Sequence, residues 1–114
     1  MQFNAVSGAQ GLCPPDWHIP TETEWNTLFN VYVSNGFAGN PLKTTGYSGF
    51  EALLSGIRHL GTTWDFPGFA TYFWSSTVHG TDKAWAHGMN SFNPSVSYYP
   101  GSRTHAFNVR CIKD

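Results

Sequence analysis

Charge is what this chain has least of. Asp, Glu, Lys and Arg make up only 11% of its 114 residues, against about 25% in an average soluble domain. The formal net charge is −1 and no run of Lys or Arg occurs. Phosphate backbones require clustered cations, so a nucleic-acid partner is excluded. No apolar run reaches the roughly 20 residues of a membrane-spanning helix. Residues 1–12 lack a charged segment leading into an apolar one, so no secretory signal is read there. Met1 therefore reads as an expression start, or the chain as one domain of a longer protein. Metal-ligand patterns are missing as well. The five His residues show no His-x-x-x-His, His-Glu-x-x-His or Cys/His spacing. Asp16, Asp65, Asp82 and Asp114 are scattered, whereas calcium needs several oxygen ligands close together. No Gly-x-Ser-x-Gly and no Gly-rich phosphate loop is present. The expectation is a chain with no catalytic residue, no metal and no cofactor.

What is present is aromatic and neutral-polar. Aromatics account for 17% of the residues, and Asn, Ser and Gly are frequent. That mixture of rigid rings and adaptable hydrogen-bonding groups is the chemistry of antibody-like binding surfaces. The length fits one domain, residues 1–114. There are two cysteines, Cys13 and Cys111. Paired, they would close a loop of roughly 100 residues, which the chain-entropy model values at about 4–5 kcal/mol, and would point to an oxidising compartment. Unpaired, Cys13 lies close enough in sequence to His18 for a thiol–imidazole pair.

The strongest local signal is a helix. Thr21 and Glu24 form a Thr-x-x-Glu capping box after Pro20. Trp25, Leu28, Phe29 and Tyr32 follow at i, i+3, i+4 and i+7, and Asn35-Gly36 supplies a stop. A second short helical turn is expected around Pro41 and Leu42. Beyond Phe50 the pattern changes to short apolar pieces: 57–60, 72–75 and 107–112 are strand candidates. Trp64, Phe66 and Phe69 fall in a connection punctuated by Gly and Pro. Helix first and strands afterwards reads as α+β.

Three ordered blocks, LCPPDWHIPTETEWNTL, GFEALLSGIRHLGTTWDFPGFATYFWSST and AFNVRCIKD, resemble the Fibrobacter succinogenes major paralogous domain, common in surface and secreted proteins of gut Bacteroidetes. The resemblance implies a C-type-lectin-like fold: two N-terminal helices and a twisted antiparallel sheet with long loops. It also implies a Cys13–Cys111 disulfide and core positions for Trp17, Trp25, Phe50, Phe73 and Trp74. The join between the second helix and the GFEAL block is shorter than in many members. The chain reads as beginning inside the family's opening strand, at Phe3–Val6, so either that strand is incomplete or this is a natural short form.

Residues 84–108, AWAHGMNSFNPSVSYYPGSRTHAFN, carry one charge, Arg103. Met89 and Val96 match apolar family positions and are expected to point inward. Trp85, His87, Asn90, Phe92, Asn93, Tyr98, Tyr99 and His105 are expected on one display face. The function this implies is non-enzymatic, adhesin-like recognition of a glycan or a host or bacterial surface protein. The location is extracellular or at the cell surface, in a monomer or within a larger surface protein. Three rivals accompany it: a receptor diversified by a retroelement, a carbohydrate-active or formylglycine-type enzyme, and a structural spacer.

Overall fold

The computed structural model describes residues 10–32, 38–59 and 63–114. Strand β1 (Trp17–His18) leads into helix α1 (Glu22–Val31) and a single helical turn, α2 (Gly39–Leu42). Strands β2 (Ile57–His59), β3 (Thr63–Asp65), β4 (Ala70–His79), β5 (Lys83–Asn90), β6 (Ser97–Ser102) and β7 (Ile112–Lys113) complete the chain.

The first helix forms as its sequence dictates. The Thr21 hydroxyl accepts from the Glu24 N–H at 3.2 Å, and the Thr21 N–H donates to the Glu24 carboxylate at 2.8 Å. Two of the donors that every helix start leaves open are thereby satisfied. Trp25 and Phe29 are the buried positions of its stripe. The expected stop at Asn35-Gly36 lies outside the described residues, as does the opening strand at Phe3–Val6.

The expected fold is corrected in two respects. The second helix is the single turn read at Pro41 and Leu42, ended by Lys43 in extended conformation, and not the full helix that the resemblance implies. Gly39 packs so tightly that a Cβ there would lie 2.6 Å from the Pro94 carbonyl oxygen. There is also no single twisted sheet. The described strands form three small antiparallel sheets, β1–β7, β2–β3 and β4–β5–β6. Strand outweighs helix, and the C-type-lectin-like arrangement of two N-terminal helices on one sheet does not hold. Left-handed backbone at Gly56 and Phe66 flanks β2–β3, a hairpin of three residues a strand. The strand expected over 107–112 is mostly single bridges, with Phe73 paired to Asn108.

The β4–β5–β6 sheet separates two cores by the alternation of side chains along a strand. Its helix-side face carries Phe73 and Met89, which pack with Trp25, Phe29, Leu42 and Ala52, and Val96 packs at the margin. The opposite face carries Trp74, Ala84 and Ala86, covered by Tyr72, Phe107 and Val109. Met89 and Val96 thus point inward, as expected. At Gly101 a Cβ would meet the Trp74 ring at 2.7 Å and the Phe107 ring at 2.8 Å.

The two ends of the described chain are fastened together. Cys13 and Cys111 are disulfide-bonded across 98 residues, with Cα atoms 5.8 Å apart. Beside the bridge, His18 lies between two carboxylates, Nδ1 at 2.6 Å from Asp114 and Nε2 at 2.9 Å from Glu24. Both ring nitrogens can donate only as the imidazolium. The Asp114 carboxylate foremost, with Glu24 adding to it, holds His18 above its ordinary titration range despite partial burial.

Candidate binding cleft

The feature that stands out on the surface is an aromatic cleft of about 370 Å³ at one end of the β4–β5–β6 sheet. Tyr72 of β4 and Tyr99 of β6 lie on the sheet face opposite α1, with ring centroids 5.7 Å apart. Phe107 stacks on Tyr72 at 5.1 Å. Phe69, just before β4, and Phe92, just after β5, rise beside them with parallel rings 5.8 Å apart. Phe66 completes the rim. No side chain lining the cleft carries a charge.

Several of these rings remain in water. Phe66, Phe69 and Phe92 are 55%, 51% and 82% exposed. Single exposed apolar residues are ordinary; contiguous ones mark surfaces that meet another molecule. Phe66 also sits at φ 57°, a left-handed conformation that a bulky residue rarely adopts and that costs on the order of 1–2 kcal/mol. Its carbonyl accepts from both Phe69 and Ala70 N–H groups, so the tight turn it makes aims Phe69 at Phe92.

The polar part of the wall is Asn90. Its side-chain oxygen accepts from the Phe92 N–H at 2.9 Å. Its carbonyl accepts from the Lys43 ammonium at 2.7 Å, and the same ammonium reaches the Asn93 carbonyl at 3.0 Å. Lys43 thus pins the turn that presents Phe92 from below, and burial pulls its ammonium pKa down. Asn93 stabilises the turn further by accepting from the Ser95 N–H at 2.8 Å.

The positions expected on a single display face are divided by the sheet. Asn90, Phe92 and Tyr99 line the cleft. His105 stands behind it, stacked on Phe107 at 5.2 Å. Asn93 is exposed at the neighbouring turn. Trp85, His87 and Tyr98 point the other way. Trp85 is half-buried against His79. Tyr98 covers the helix side, its hydroxyl donating to Asn26 and its ring edge-on to Phe29.

His87 is a correction. It is fully buried, between Trp25, Phe29 and Tyr98 with ring centroids 5.0–5.5 Å away. Residues 85, 87 and 89 share a face by strand alternation, so the face that buries Met89 buries His87 too. Burial lowers its pKa to about 4 and raises that of Glu22. The Glu22 carboxylate lies 3.1 Å from its Nε2, yet neither ring nitrogen makes an aligned hydrogen bond. The ring is a neutral core group with no access to a ligand.

Phe66, Phe69, Tyr72 and Phe107 were not among the expected site residues. The signal for the first two is their type: large apolar side chains in a segment otherwise made of turn-forming Gly, Pro and Asp. Tyr72 and Phe107 carry no such signal, because each sits in a stretch that reads equally well as core strand.

Neither cysteine is available as a thiolate, since both are in the bridge. Among the described residues no three His, Cys, Asp or Glu side chains gather as a metal-ligand group. No helix among them is long and apolar enough to cross a membrane. Two further hollows exist, one between α1 and Ile112 and one beside Asn108, but neither gathers exposed rings in this way. No curated protein and no solved structure matches the chain. One family model, described as the Fibrobacter succinogenes major domain, matches residues 2–113, and the chain belongs to that family.

Proposed function

We propose that the domain is a non-catalytic recognition module that holds an uncharged ligand in the aromatic cleft. The observation that carries this reading is the cleft itself: exposed Phe66, Phe69 and Phe92 gathered round Tyr72 and Tyr99 with no formal charge in the lining. Aromatic anchors in a desolvating hollow are the usual source of binding energy at such surfaces. The buried Glu22–His87 pair lies on the opposite sheet face, so the perturbed carboxylate is not where a ligand would sit. The Cys13–Cys111 bridge is consistent with an extracellular or surface setting, where disulfides persist, and supports reading the module as adhesin-like.

The test is a screen of the oxidised domain against immobilised glycans and peptides, repeated with Phe69→Ala and Trp85→Ala. Retained ligands should lose at least tenfold in affinity with Phe69→Ala and little with Trp85→Ala. The reverse pattern would place recognition on the helix side and remove the cleft from consideration. The diversified-receptor reading concerns the same exposed positions, and the gene tests it: an imperfect repeat differing only at adenines beside a reverse transcriptase.

A further inference from the structure

The surroundings of His87 suit only one of its two charge states. An imidazolium carries two N–H donors, and in the core neither ring nitrogen has an aligned partner. Helix α1 turns one titratable group to the ring, Glu22, 3.1 Å from Nε2. Strand β6 turns another, the Tyr98 phenol, whose ring stands edge-on at 5.0 Å. From β4 the paired residue is Phe73, and Trp25 and Phe29 complete the enclosure without charge. Glu22 can accept at Nε2, but nothing accepts at Nδ1. Burial also raises the pKa of Glu22 itself, so falling pH weakens the acceptor as it charges the ring. A buried donor without a partner costs about 1–3 kcal/mol, and more when charged.

Among the enclosing side chains Tyr98 yields most easily. Trp25 and Phe29 are buried positions of α1. Tyr98 is 52% exposed and is held by one hydroxyl bond, to Asn26. It lies directly across the ladder from His87, on an edge strand that pairs only with β5. Its displacement admits water to the ring. The next residue, Tyr99, faces the other way and stands in the cleft wall. At the far end of β6 the Ser102 N–H donates to Nδ1 of His105 at 3.2 Å, a contact that also needs an uncharged imidazole. His18, clasped by two carboxylates beside the bridge, has the opposite preference. Mild acid therefore loosens β6 and spares the joined ends.

We propose that β6 is an acid-released edge: protonation of His87 displaces Tyr98 and draws the adjoining Tyr99 away from the cleft. The release is independent of what the cleft holds. Its effect on recognition, a ligand let go in acid, rests on the cleft being the binding site. With Tyr98 displaced, the ring regains its ordinary value of 6.5, against about 4 when enclosed. The displaced form thus gains on the enclosed one as pH falls below 6.5, and the gain levels off below 4.

The experiment follows the oxidised, ¹⁵N-labelled, ligand-free domain by NMR and amide exchange from pH 7 to pH 4.5. Protection of the β6 amides that pair with β5 should fall at least about tenfold. Protection of Trp25 and Trp74, whose N–H groups bond to Thr21 and Asn108, should fall less than about twofold. The His87 and Tyr98 ring signals should move with one midpoint. Tyr98→Ala should bring the His87 midpoint up by at least about one pH unit, because water then reaches the ring. His87→Phe, which keeps a ring in the same enclosure, should abolish the response at Tyr98 and Tyr99, and His105→Phe should leave it there. A His87 midpoint unmoved by Tyr98→Ala, or a response that survives His87→Phe, would overturn the proposal. So would equal losses of protection at Trp25, Trp74 and β6, since the acid effect would then be global unfolding. No ligand takes part, so the result stands whatever the Phe69→Ala comparison shows about the cleft.

Discussion

The two faces of the β4–β5–β6 sheet share their backbone and differ in nearly everything else. Toward α1, Phe73, His87 and Met89 are at most 5% exposed, sealed by Trp25 and Phe29. On the other side Tyr99 stays 36% exposed, with Phe69 and Phe92 more open still at the strand ends. A single-residue step along the strand separates the two environments. Both faces remove apolar area from water, the helix side around Trp25 and Phe73 and the other around Trp74, Ala84 and Ala86. Only the cleft end of the other face keeps rings in water, where they contribute little to folding. Aromatic content alone therefore does not separate core rings from exposed ones; the parity of a position and its distance along the strand both enter, as the buried Trp74 beside Tyr72 shows.

The largest effect should come from the helix side. Trp25→Ala removes a ring that touches Phe29, Phe50, Phe73 and His87, and should cost about 3–5 kcal/mol. Phe92→Ala at the cleft should change stability by no more than about 0.5 kcal/mol. Urea unfolding of the two variants measures the contrast, and equal losses would abolish the distinction between the faces.

Much of the helix side was legible in the sequence because its signals are local. The Thr21–Glu24 box and the Trp25–Phe29 stripe need only neighbouring residues to be read. The Cys13–Cys111 pairing and the family came from ordered blocks that agree from end to end. The shortness of α2 was legible at Pro41 and Leu42, whereas the close approach of the Pro94 carbonyl to Gly39, from 55 residues away, was not. The β2–β3 hairpin is flanked by left-handed turns at Gly56 and Phe66, and nothing about a phenylalanine announces such a turn. Of the cleft lining, Asn90, Phe92 and Tyr99 fall among the residues that composition singles out. His87 was misplaced for the same reason, since composition ignores which way alternate residues point. Phe69 and Phe107 come to the cleft from outside the segment that composition singled out.

A second, smaller effect follows from His87. Its folded pKa is about 4, below the ordinary value of 6.5, so the unfolded chain takes up a proton first. The stability it contributes is intact above pH 6.5 and is lost as pH falls toward 4, to a limit on the order of 3 kcal/mol. Glu22, raised by burial, acts in the opposite sense, because protonation favours its folded form as pH falls. The net loss is thus smaller than the histidine alone would give. His18 bounds the other side. With its pKa raised, its contribution is complete below pH 6.5 and disappears as pH rises through the folded value. Unfolding at pH 7 and pH 4.5 should show a loss on acidification that His87→Phe reduces. An unchanged acid response in that variant would mean that the helix-side face is not where the proton goes.

The smallest effect sharpens the comparison from the cleft side. Phe66→Gly relieves left-handed backbone at φ 57° and removes an exposed ring. It should raise stability by roughly 0.5–1 kcal/mol while lowering affinity for the cleft ligand. Thermal unfolding beside a binding titration reads both. A gain in both, or a loss in both, would show that the strained turn is not maintained for recognition.

The Cys13–Cys111 bridge has a mechanical consequence. A pull applied at residue 10 and residue 114 enters and leaves the domain within three residues of a covalent cross-link that spans 98 positions. The force is carried from one end to the other through sulfur, and the strands, the helix and the cleft lie on an unloaded branch. Only the β1–β7 pair and the His18–Asp114 contact lie near the line of tension. A domain wired in this way keeps its shape under a load that would unravel the same fold with its thiols reduced.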